Sequence, residues 1–70
     1  MNKVKQINNL IRGEMKEKKV TQNDLSYYIG LDQSSFSLSL SGKREWKIKE
    51  LLGICEYLNI SNDIAEIIGG

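Results

Sequence analysis

The chain has 70 residues, with ten basic and nine acidic side chains for a net charge of +1, one cysteine, no histidine and no proline. That length holds one small domain whose core is marginal unless it is helical and well packed. Cys55 alone cannot close an internal disulfide, and without histidine there is neither a good zinc ligand set nor a cysteine–base pair, so no enzyme, metal or cofactor chemistry is expected.

No apolar run approaches the ~20 residues that a membrane span needs, and the N-terminus has no apolar signal core. A binding module inside the cell is the expectation. The charge is unevenly spread. Lys3, Lys5, Arg12, Lys16, Lys18 and Lys19 outweigh Glu14 and Glu17 at the start, while only Asp24 and Asp32 are charged between residues 20 and 42. Lys43, Arg44, Lys47 and Lys49 then outweigh Glu45, and Glu50, Glu56, Asp63 and Glu66 make the last third acidic. Two basic segments flanking a nearly uncharged centre would hold a polyanion with salt-sensitive affinity, or they are ordinary solvated helix faces.

Val4, Ile7, Leu10, Ile11 and Met15 recur at three- and four-residue spacing, which predicts an amphipathic helix over about 3–18 that Gly13 weakens. Thr21 with Asp24 three residues on is a capping-box start for a second helix over 22–29. Leu25, Tyr28 and Ile29 give that helix an inward stripe, Ser26 leaves room for a close crossing, and Gly30 supplies its left-handed end. Leu31 turns inward and Asp32 caps a third helix over 33–41. Its sequence alternates polar and apolar residues and its serines lower helix propensity, yet a segment this short, bracketed by a cap and Gly42, has no partner strand. Phe36 is its core anchor.

After the basic GKREWK loop, Ile48, Leu51, Leu52, Cys55 and Leu58 predict an apolar face on a fourth helix over 47–58, with Cys55 as a core thiol. Asn59 is a left-handed stop and Ile60 staples the turn. Ser61 or Asn62 then caps a fifth helix over 62–68, whose Ile64, Ile67 and Ile68 fit either the core or a dimer seam. There is no repeat, linker or low-complexity stretch, so residues 1–70 are expected to be a single all-α domain.

Two short helices joined through a glycine form a helix-turn-helix. With Thr21, Gln22, Leu25, Ser26, Ile29, Gly30, Leu31, Gln33, Ser34, Ser35 and Phe36, followed by the Ser41-Gly42-Lys43-Arg44 exit, the sequence resembles the phage repressor and Cro family. Leu51, Leu52, Ile54, Cys55 and Leu58 fall where that family places its fourth-helix core. The likeness covers about residues 4–64, and the SGKREWKIKE segment looks like the small switch regulators of phages of Gram-positive bacteria. The resemblance implies a compact five-helix, lambda-repressor-like DNA-binding domain, in the cytoplasm of a bacterial host cell, whose third helix lies in the major groove. It places Gln22 against the DNA backbone, Gln33, Ser34, Ser37 and Leu38 toward the bases, and Lys43 and Arg44 toward phosphates. A glutamine amide donates and accepts at once, which matches adenine, and serine hydroxyls serve several base edges.

The chain departs from that pattern in charge. No Lys or Arg lies between Val20 and Gly42, Asp32 adds an anion at the groove entrance, and Leu40 stands where the family often has an acid. Leu38 lies about 200° around the helix from Phe36 and is therefore expected to be exposed. With Leu40 and the serines it would make an apolar face suited to another protein. Two readings follow. In one, the protein binds operator DNA, usually as a homodimer, to regulate a phage lytic–lysogenic switch. In the other it is a modulator of repression or antirepressor, which uses the same face, with Asp32, to mask a phage repressor's DNA-binding surface or to form a co-repressor complex with it.

Overall fold

The computed structural model describes residues 3–60. Among the described residues there are four α-helices and no strand: α1 (Lys3–Lys18), α2 (Gln22–Ile29), α3 (Gln33–Leu40) and α4 (Ile48–Leu58). The first four expected helices are present to within a residue at each end. The expected fifth, over 62–68, and with it Ile64, Ile67 and Ile68, lies outside the described residues, which hold four helices and do not support a count of five.

Each helix boundary has a local cause. At the end of α1, Lys19 adopts a left-handed φ of 56° and the Val20 amide donates to the Met15 carbonyl at 2.9 Å. The Lys18 ammonium pairs with Glu14 and reaches across to the Leu58 carbonyl, placing a cation on the free C-terminal carbonyls of α4. The α2 capping box forms in both directions: the Asp24 amide donates to Thr21 Oγ1 at 3.1 Å and the Thr21 amide to Asp24 Oδ2 at 3.0 Å. Gly30 takes a φ of 71°, and the Leu31 amide closes the turn onto the Ser26 carbonyl at 2.9 Å. Asp32 accepts from the Ser35 amide at 2.9 Å to start α3. Asn59, at φ 58°, ends α4, and the Ile60 amide returns to the Cys55 carbonyl.

Helix α2 packs against both α3 and α4, and α4 packs against α1. Ile7, Ile11, Met15, Leu25, Phe36, Leu40, Ile54, Cys55, Leu58 and Ile60 form the shared core, with Leu10, Ile29, Leu31, Trp46 and Leu51 packed at its margin. Removing one such large side chain from water is worth about 1.5–3 kcal/mol.

Four sequence expectations change here. Tyr28 is half exposed rather than inward, because its ring stands edge-on to Tyr57 and its hydroxyl donates to Glu56 at 2.6 Å on the surface. Ser26 takes the buried place in α2 instead. Ile48 and Leu52 are 76% and 63% exposed. The inward stripe of α4 runs through Glu50, Ile54, Cys55 and Leu58, and Ile48 and Leu52 fall beyond its edge on the helical wheel. Val4, at the first turn of α1, also remains exposed. Leu40 is buried, not beside Leu38 on the surface. The reason is geometric: Leu40 is one turn from Phe36 and shares its inward face, whereas Leu38 is two residues from each and points away.

Candidate nucleic-acid interface

A hydrogen-bonded frame fixes the outward face of α3. Asn8 of α1 is buried; its Nδ2 donates to the Ser39 carbonyl at 3.0 Å and its Oδ1 accepts from Trp46 Nε1 at 2.7 Å. The Trp46 indole packs edge-on against Phe36, with ring centroids 5.2 Å apart. One amide thus ties α1, α3 and the loop after α3 together. On the other flank Arg44 Nη1 donates to Ser39 Oγ at 2.7 Å and to Glu50 Oε1 at 3.0 Å, while its Nη2 donates to Glu50 Oε2 at 3.0 Å. Glu50 Oε1 also accepts from the Lys47 amide at 2.9 Å, which caps α4. The fork of the guanidinium on a carboxylate is a strong, directional contact.

The electrostatics follow from these bonds. Arg44 chiefly, opposed by partial burial and helped by the Lys47 amide, holds the Glu50 carboxyl below its usual range. Arg44 itself is raised by that same carboxylate. The Ser35 hydrogen bonds hold Asp32 ionised to lower pH, with a smaller contribution from the positive charge of Arg44. Burial pushes the Cys55 thiol up, as for an inert core thiol.

With the frame set, Gln22, Gln33, Ser34, Ser37 and Leu38 line one shallow depression formed by the start of α2 and the outer face of α3. Gln33 and Ser37 are one turn apart, as are Ser34 and Leu38, so the four make a short two-by-two patch along the helix. Leu38 is 46% exposed, and Gln33, Ser34 and Ser37 are also exposed. Lys43 is exposed just past the end of α3, where the Lys43 amide donates to the Leu38 carbonyl at 2.9 Å and Gly42 turns at a φ of 87°. Asp32 is exposed at the start of α3, where it is occupied as the cap, and it does not line the depression. Arg44 is set apart from the group, because its guanidinium is half buried and engaged by Glu50 and Ser39.

Nothing in the residue pattern singles out Asn8, Ser39 or Trp46. Their roles depend on partners more than 30 residues away for Asn8, and on burial of residues whose types are equally common at surfaces. Among the described residues no group of His, Cys, Asp or Glu is placed to hold a metal ion, and no helix is long and apolar enough to cross a membrane.

The family profile described as Cro/C1-type HTH DNA-binding domain matches residues 9–69, most of the chain. No curated protein and no solved structure matches. The matched span begins in the second turn of α1 and contains both helices of the turn, the glycine between them and the framed outer face of α3. The chain therefore belongs to the Cro/C1-type helix-turn-helix DNA-binding domain family, which consists of DNA-binding transcription regulators and not of enzymes.

Proposed function

We propose that the protein is the regulator of a phage genetic switch and that it binds operator DNA with α3 in the major groove. The observation that carries this is that Gln22, Gln33, Ser34, Ser37 and Leu38 share one exposed depression. In that reading Gln33 pairs its amide with an adenine edge, Ser34 and Ser37 bond base edges, and Leu38 meets a thymine methyl. Gln22, at the start of α2, and Lys43 hold the phosphates on either side. Arg44 supports from within, through Glu50. Two copies on a palindrome are the expected bound form. The experiment is an electrophoretic shift over the promoter region of the protein's own operon. A shifted band lost on Gln33→Ala supports the reading; no band at low salt sinks it.

One observation favours a second reading, in which the same face binds a phage repressor as antirepressor or co-repressor. The outer face of α3 carries no cation, and an exposed Leu38 stands on the same short helix as the Asp32 carboxylate. A repressor's recognition helix is basic, so such a face can approach it without repulsion. Charge removal at Asp32 separates the two readings, provided the cap survives. Asp32→Ser keeps an oxygen for the Ser35 amide. It should strengthen DNA binding if α3 meets DNA, and weaken co-purification with the cognate repressor if α3 meets protein.

A further inference from the structure

Lys5, Asn9, Arg12 and Lys16 fall within about 60° of one another around α1, one ridge of the helix about 16 Å long. All four are exposed, and no carboxylate among the described residues pairs with the three cations. Glu14 lies on the opposite side and is taken by Lys18, and Glu17, next to Lys16 in sequence, lies about 100° around the helix from it. The ridge is not isolated from α3. Asn8, on its inner flank, bonds the Ser39 carbonyl, and Lys5, Asn9 and Arg12 line a depression together with Leu40, Ser41 and Gly42. The next residue along the chain is the exposed Lys43. The α1 ridge therefore continues the surface on which α3 ends, at the opposite end of α3 from its Asp32 cap.

We propose that this ridge, led by Lys5 and Arg12 with Asn9 between them, is a phosphate-contacting surface that grips the DNA backbone beside the C-terminal end of α3. The inference rests on the reading that α3 binds DNA, and it assigns to α1 the electrostatic part of that binding that Lys43 does not supply. Three observations support it together. The outer face of α3 has no cation of its own, and Arg44 is neutralised by the Glu50 carboxylate. The affinity supplied by phosphate neutralisation must then come from unpaired cations bordering α3. Lys5 and Arg12 border it and have no carboxylate partner among the described residues.

The test is the salt dependence of binding to a short duplex by fluorescence anisotropy, for the full chain and for Lys5→Ala/Arg12→Ala. Each phosphate contact contributes about 0.9 to the slope of log affinity against log salt. The double variant should therefore lose about 1.8 from that slope, while keeping its ratio of affinities for a preferred and a scrambled duplex. Unchanged helical circular dichroism checks that these exposed substitutions leave the fold intact. A wild-type slope in the variant, with DNA binding retained, overturns the α1 assignment and leaves the α3 reading standing. Absence of wild-type binding to any duplex at low salt removes both.

Discussion

At Gly53 a Cβ would sit 2.7 Å from Ile29 Cγ2, closer than side chains tolerate. The missing side chain lets α4 press against α2, the first helix of the turn, and so sets the pose in which α3 is presented. Gly53→Ala should cost about 1–3 kcal/mol through overpacking, measured by urea unfolding. Ile29→Leu, which removes the offending γ-methyl, should recover most of that loss in the double variant. Equal costs in the two backgrounds would show that the approach to Ile29 is not the cause, since helix propensity alone favours alanine. The sequence could not show this contact, because a glycine inside a helix reads as a defect until the partner helix is in place. Glu50 makes a pH prediction of the same local kind. Its folded pKa is lowered from 4.5, chiefly by Arg44, so its contribution to stability is complete above that value and is lost as pH falls through the lower folded value. Asp24 and Asp32 are lowered too and act in the same direction. Thermal melts between neutral and acid pH should therefore fall on acidification, and Glu50→Gln should flatten part of that fall. An identical pH profile for the two proteins would contradict the assignment.

Among the elements, α2 and the start of α3 were the most legible. Thr21, Asp24, Gly30 and Asp32 act through bonds to residues within a few positions, so spacing alone reveals them. The inward face of α4 was read too widely. Six apolar residues in eleven allow more than one stripe, and only the position of α2 and α1 selects Ile54 over Ile48 and Leu52. The attachment of α3 was not legible, because Asn8 and Trp46 are joined only by the folded chain. That attachment is testable. Asn8→Ala leaves the indole N–H without its protein partner and the Ser39 carbonyl with the Gly42 amide alone, and it should cost about 1–3 kcal/mol. Trp46 is the only tryptophan, so its fluorescence reports the same site directly. A red shift in emission is expected as the ring loses its anchor. An unchanged spectrum with unchanged stability would mean that Asn8 is not the tie between α1 and α3.

On the scale of the whole molecule, charge and shape divide the work. A largely uncharged α3 face carries the groups suited to reading base edges, and the cations lie around it, on α1 and at Lys43. Fold class and the helix-turn-helix were visible in the sequence because caps, glycines and apolar spacing agreed along most of the chain. The division between paired and unpaired cations was not, since Arg44 and Lys43 look alike until Glu50 claims one of them. Under the proposed function, the Gln33, Ser34, Ser37 and Leu38 face reads a DNA sequence. Selection of duplexes from a randomised DNA pool by the purified full-length protein tests it most directly. Enrichment of a short motif is expected, with adenine at a position whose preference is relaxed by Gln33→Ala. A pool with no motif above background after repeated low-salt rounds would contradict it and turn the α3 face toward a protein partner.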